Sequence, residues 1–230
     1  KSPPPSTDDY ITINDVTVTP GADDTYRVEV SLVGTRIYTA FEMDILFPSG
    51  LKPVLSYDDE EEKDTYCLKT EGNICKNSHG ITSSFGIITP TTMRLSCSSS
   101  TSSNFRRESG KLFYFMVKAS PYLKPGDVTL KVTKLHFITK ENAQQYNCKD
   151  QTLTLHAQPE SSASLMVSGE SHYGTCVLPF DVKGLPPGVK AFSAKKLDST
   201  GTFVVLDEVQ QMVAYTPYIL YSDGGYIGNL

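Results

Sequence analysis

An all-β fold is predicted by three features of this 230-residue chain. Apolar residues alternate with period two, the composition favours strands and turns, and turn signals separate the alternating runs. The chain carries 13 Tyr, 10 Phe, 16 Gly and 14 Pro, residues that suit strands and the turns between them. No amphipathic run is long enough for a substantial helix.

The strands follow in order. "YRVEVSLVG" (26–34) sets Val28, Val30 and Leu32 on one face. "FEMDILF" (41–47) sets Phe41, Met43, Ile45 and Phe47 against Glu42 and Asp44. Both read as half-buried strands. "KLFYFMVKA" (111–119) is apolar on both faces from Leu112 to Val117, the pattern of a central strand covered on both sides. "DVTLKVTKLHF" (127–137) alternates Val128, Leu130 and Val132 with Thr129, Lys131 and Thr133, and "TLTLHA" (152–157) is a short last strand. With the turns "PGADD", "FPSG" and "KPGD" between them, these strands predict a sandwich. "SYDDEEEKDTY" (56–66) and "SCSSSTSSNFRRESG" (96–110) read as exposed loops.

The Pro/Ser-rich stretch "HAQPESSAS" (156–164) marks a domain boundary. It predicts a disordered or extended terminus over 1–8, a β-sandwich over 9–157 and a small β-module over 158–230. The strands of that module are "SLMVSG", "GTCVLPF", "GVKAFSA", "TFVVLDEV" and "AYTPYILY". Its last stretch, "GGYIGNL", leaves open a module that continues past Leu230.

Charge and length exclude several classes. A net charge of -5 argues against a phosphate-tracking surface, and the only adjacent basic pairs are Arg106-Arg107 and Lys195-Lys196. No nucleic-acid partner is expected. No stretch of 18 apolar residues reads as a transmembrane helix, and "KSPPPSTDD" lacks the apolar core of an export signal, as a mature or trimmed terminus would. A chain of this length buries a core without cofactor or metal.

Between residues 9 and 156, "YRVEVSLVG", "YTAFEMDILFPSGL", "SHGITSSFG", "ESGKLFYFMVKA" and "LKPGDVTLKVTKLHF" together resemble a cohesin-like module, a jelly-roll sandwich related to carbohydrate-binding modules. "GTCVLPF", "PPGVKAF" and "AYTPYILY" resemble a small C-terminal β-module found in the same class of secreted proteins of Bacteroides-type bacteria. The resemblance implies an exported, periplasmic or cell-surface protein. It transfers no functional residues.

Candidate chemistry is sparse. His172 and Cys176, four residues apart in an extended segment, are about 13 Å from each other, too far for a base and its nucleophile. Cys176, Leu178 and Phe180 share an apolar face, which makes the sulfur a core atom. The run Asp58, Asp59, Glu60, Glu61, Glu62 offers carboxylates to calcium but lacks the spacing of a calcium loop, and like charges in sequence read as a solvated loop. His79, His136, His156 and His172 form no metal-ligand pattern, and the nucleotide and hydrolase motifs are absent. Five cysteines leave at least one free or paired between molecules. Cys67 and Cys75 flank "LKTEGNI", a hairpin in which Leu68 would face Ile74 and a disulfide would close the pair; two reduced thiols are the alternative. Tyr57, Tyr66, Phe105 and Tyr122, in or near loops, are candidates for a sugar-stacking platform.

These readings converge on a monomeric, non-catalytic binding or assembly module at the bacterial cell surface, without a cofactor, whose ligand is a glycan or a surface protein. The alternatives are an accessory module of a larger polysaccharide-degrading enzyme and a structural spacer.

Overall fold

The computed structural model describes residues 3–159 and 162–230. Lys1 and Ser2 of the expected terminal tail, and Glu160 and Ser161 of the expected boundary, lie outside the described residues. The chain divides into two compact units, 1–158 and 159–230. Among the described residues the only helical element is a 3-10 turn, Glu141–Ala143.

In the first unit the strands are β1 (Tyr10–Ile13), β2 (Thr17–Val18), β3 (Tyr26–Val33), β4 (Ala40–Leu46), β5 (Leu51–Val54), β6 (Ser56–Asp58) and β7 (Lys63–Thr65). They continue as β8 (Leu68–Lys69), β9 (His79–Phe85), β10 (Thr92–Ser99), β11 (Gly110–Ala119), β12 (Gly126–Ile138), β13 (Gln145–Asn147) and β14 (Gln151–Ala157). One sheet is ordered β1-β3-β11-β5, with β8 also on β11. The other is ordered β2-β14-β12-β4-β10-β9, with β13 also on β12. The unit is therefore an all-β sandwich of two sheets.

Alternation in sequence becomes one buried layer between the sheets. Val28, Val30, Leu32, Phe41, Met43, Ile45, Phe113, Phe115, Val117, Val128, Leu130 and Val132 all lie in it. Phe41 stacks on Phe113 with centroids 5.8 Å apart, and Phe47 meets Phe115 edge-on at 5.9 Å. Each fully buried side chain of this size contributes about 1.5–3 kcal/mol.

Two bulges adjust the phase. In β12 the pairing with β4 shifts between Thr133 and His136, and Lys134 takes φ 55°. Without that shift the Val128–Leu130–Val132 face would continue as Lys134 and His136; with it, Leu135 and Phe137 turn inward and are buried. In β11 the pairing with β3 shifts between Lys111 and Phe113, so that both Leu112 and Phe113 are buried. Gly110 begins this strand at φ 142°, and a Cβ there would lie 2.6 Å from Ile74 Cγ2. Only glycine fits.

Three expectations are corrected. The outward residues of β11, Tyr114 and Met116, are half-buried rather than covered, because neighbours in the same sheet shield them and no second buried layer forms there. The 56–66 segment is a hairpin in which Tyr57 pairs with Asp64. The 96–110 segment begins in β10 and then folds back, Phe105 N–H donating to Tyr38 O at 2.7 Å and Arg106 N–H to Ile74 O at 2.7 Å. Near the start of the chain, Thr7 N–H donates to Asn147 O and Asn147 N–H to Pro5 O, both at 2.9 Å.

The second unit contains β15 (Ser164–Val167), β16 (Tyr173–Val177), β17 (Lys190–Leu197), β18 (Val204–Val209), β19 (Pro217–Tyr221) and β20 (Tyr226–Asn229). β15 pairs with β20, and the other four form a sheet ordered β16-β19-β17-β18. Its small core holds Leu165, Val167, Leu178, Val182, Ala191, Met212, Tyr218 and Leu220.

Candidate functional site

The proposed aromatic platform does not assemble. Phe105 lies in the loop between β10 and β11 as expected but is 2% exposed and 5.0 Å from the His79 ring, so it packs in the core. Tyr66 is half-buried against Phe85 at 5.8 Å. Tyr57 and Tyr122 are exposed, at 59% and 75%. They sit toward opposite ends of β5: Leu51 pairs with Ala119 next to the Tyr122 turn, while Val54 pairs with Met116 and the chain runs on to Tyr57. The two Cα positions are separated by roughly 20 Å of extended chain.

Asp58 Oδ1 accepts from Glu60 N–H at 2.9 Å and Glu61 N–H at 3.3 Å, so this acid closes its own hairpin turn. Glu61 pairs with Lys63. Among the described residues no group of three or more His, Cys, Asp or Glu is gathered as metal ligands.

His172 heads β16 at φ 61°, with its ring 6.5 Å from Tyr221. Cys176 packs against the small core beside Leu178 and Phe180, and burial pushes its thiol pKa up. The cysteine is a packing residue.

The Cys67–Cys75 hairpin is also corrected. Leu68 and Lys69 pair with Tyr114 and Phe113, and Ile74 N–H donates to Lys111 O at 2.8 Å. The segment therefore runs along β11 instead of folding back on itself, and its two cysteines sit at opposite ends. Cys67 Sγ lies 3.9 Å from Met93 Sδ, and Cys67 and Cys75 are both free and buried.

Two outward faces remain. On the β2-β14-β12-β4-β10-β9 sheet the face is polar, with Thr129, Thr154, Lys131 and Thr152 in register. At its centre Asp44 is 3% exposed. It accepts from Arg94 Nε and a second guanidinium nitrogen, each at 2.7 Å, and its Oδ2 lies 3.2 Å from Lys134 Nζ. These cations, Arg94 first, hold the Asp44 carboxyl below its usual range despite burial. The bulge in β12 is what brings Lys134 there.

The outer face of the β1-β3-β11-β5 sheet is different. Register places Tyr10 beside Val33, Tyr114 beside Glu29 and Leu68, and Met116 between Arg27 and Val54. The Arg27 guanidinium lies 3.7 Å from the Tyr114 ring centroid, a cation–π contact. Arg27 also donates to Thr70 Oγ1 at 2.7 Å, Thr70 donates to Glu29 at 2.6 Å, and Lys111 pairs with Glu29 at 2.9 Å. The Thr70 hydroxyl and Lys111 hold Glu29 below its usual range, so it remains ionised. A charged rim thus frames an apolar strip of Tyr114, Met116, Val54 and Leu68. The 111–119 pattern, read as covered on both faces, did not reveal this strip, and Arg27 and Thr70 meet it only in space.

No family model matches the chain, and no curated protein does. Solved structures similar to it include the seventh ScaB type I cohesin from Pseudobacteroides cellulosolvens, with 8% identity over 66% of this chain and 94% of that one, at a TM-score of 0.49. A type I cohesin–dockerin complex from Clostridium thermocellum gives 16% identity over 66% of this chain and 100% of that one, at 0.48. A non-cellulosomal cohesin from the archaeon Archaeoglobus fulgidus gives 10% identity over 65% and 91%, at 0.45.

Proposed function

We propose that the chain is a non-catalytic binding and assembly module, exported to the outside of a bacterial cell, that docks a protein partner on the outer face of its β1-β3-β11-β5 sheet. The observation that carries this reading is β11 itself, a central strand that turns Tyr114 and Met116 outward into a strip rimmed by Arg27, Glu29 and Lys111. Tyr, Met and Arg are the residue types enriched where proteins meet. The mechanism is shape-complementary contact in which no bond is made or broken. Export and a cell-surface location follow from the sequence resemblance described above, and no helix of the described residues is long and apolar enough to cross a membrane.

A glycan ligand draws less support, because the four candidate aromatics do not converge. Affinity electrophoresis of the full chain through host and plant polysaccharides separates the two: unchanged migration is expected, and retardation by one polymer assigns the module to carbohydrate. The paired experiment is capture from the secreted and surface fractions of the producing bacterium. A protein retained by the wild type and lost with Tyr114→Ser/Met116→Ser supports docking. No protein specific to the wild type leaves a spacer.

A further inference from the structure

We infer that the cleft beside β8 is a carboxylate-binding site that takes an acidic segment of the protein partner; the assignment to that partner rests on the docking face proposed above. The cleft, of about 560 Å³, is walled by Lys69, Lys76, Arg106 and Arg107, with Glu60 and Glu71 opposing them. Cations outnumber acids there although the chain as a whole carries a net charge of -5. Glu60 lies 4.0 Å from Lys69. Among the described residues, Lys76, Arg106 and Arg107 make no ion pair. Unneutralised cations gathered in a concave place repel one another and focus a positive potential on it, and an anionic ligand relieves both.

The backbone builds this cleft before any ligand arrives. Thr70 O accepts from Asn73 N–H at 3.2 Å and from Asn73 Nδ2 at 2.6 Å, closing a turn in which Gly72 takes φ 68°. Ile74 O accepts from Arg106 N–H at 2.7 Å, and Cys75 O accepts from Arg106 Nε at 3.1 Å. The second bond fixes the plane of an exposed guanidinium and leaves its terminal nitrogens for a carboxylate, the group whose geometry matches that fork. A fork held in place loses little side-chain freedom on binding.

Continuity and charge identify the occupant. Lys69 belongs to β8, whose Leu68 pairs with Tyr114 of the docking strip. Thr70, in the cleft wall, accepts from Arg27 and donates to Glu29, both on the rim of that strip. A protein seated on the strip therefore reaches the cleft, where its Asp or Glu side chains meet cations. Because the chain is otherwise acidic, this local attraction also sets the orientation in which an acidic partner docks.

The test uses the full chain and a fluorescein-labelled oligoglutamate peptide, with labelled oligoglutamine and labelled dextran sulfate as comparison probes, in fluorescence anisotropy at pH 7 and low salt. Saturable binding of oligoglutamate and none of oligoglutamine is expected, weakening as salt is added. Lys76→Gln/Arg107→Gln should weaken it about fivefold or more. Lys52→Gln/Lys124→Gln removes the same charge toward the other end of β11 and should leave it within about twofold. Matching circular dichroism spectra and urea midpoints show that both variants fold. Absence of oligoglutamate binding by the wild type, or equal weakening in the two variants, overturns the proposal. Binding of dextran sulfate in the absence of oligoglutamate binding assigns the cleft to a sulfated polymer and overturns the acidic-segment reading. The two readings fail separately. Oligoglutamate bound in the cleft, with Tyr114→Ser/Met116→Ser capturing the same proteins as the wild type, removes the docking strip and keeps the carboxylate site. Loss of a captured protein in that variant, with no oligoglutamate bound by the wild type, keeps the strip and removes the cleft assignment.

Discussion

Removing the guanidinium from the Asp44 cluster exposes how much of the sandwich rests on one ion group. Asp44 projects from β4 with 4% of its side chain exposed, while Arg94 and Lys134 are 38% and 62% exposed. Arg94→Leu deletes two hydrogen bonds of 2.7 Å and leaves Lys134 as the remaining cation. Stranding a buried charge costs about 3–5 kcal/mol. Because Lys134 stays and both cations reach solvent, the expected loss is about 2–3 kcal/mol. Asp44→Asn removes the charge itself and strands only solvated cations, so about 1–2 kcal/mol is expected. Urea unfolding followed by circular dichroism measures both, since the chain has no Trp to serve as a fluorophore. The pH dependence has a definite sign. The folded pKa of Asp44 lies below its ordinary 3.8, so its stabilisation is complete above that value and disappears as pH falls through the folded one. The gap between wild type and Asp44→Asn should therefore close in strong acid. An Arg94→Leu cost under about 0.5 kcal/mol, or a gap that is the same at neutral and strongly acid pH, refutes the reasoning.

Three further outcomes are expected. Tyr38, wholly buried, donates to Asp9 Oδ2, while Thr35 supplies two more hydrogen bonds to that carboxylate at 3.0 and 2.9 Å. Tyr38→Phe should lower stability by about 1–2 kcal/mol in urea unfolding. Phe105→Ala should cost about 3–4 kcal/mol and Tyr122→Ala under about 0.5 kcal/mol in the same assay; equal effects would place Phe105 back on the surface. His79 is wholly buried, and burial lowers its pKa from 6.5. Its unfolded form takes up a proton first, so stability should fall as pH drops below about 6.5, and His79→Gln should flatten that slope.

The sequence made the sandwich legible where period two ran unbroken, as in 26–34 and 41–47. It was less informative wherever a bulge changed the phase. The Val128–Val132 face ends at Lys134 because a positive-φ residue there resets the alternation for Leu135 and Phe137. Phe105 was read from its polar neighbours, but backbone bonds to Tyr38 and Ile74 pull it into the core. The hairpin read over 67–75 failed for a related reason. Two cysteines flanking a short segment suggest a hairpin with Leu68 facing Ile74, yet β11 offered both ends of the segment a better partner than each other. Arg27 over Tyr114 and Lys134 beside Asp44 are contacts between distant segments, which no local pattern encodes.

Site-specific photo-crosslinking tests the proposed docking face most directly. A benzophenone side chain is introduced at Tyr114 or, on the outer face of the opposite sheet, at Thr129, and each chain is irradiated in the secreted and surface fractions of the producing organism. The account predicts one covalent protein adduct from the Tyr114 position and none from Thr129. An adduct from Thr129 alone, or the same adducts from both, would contradict docking through the β1-β3-β11-β5 face.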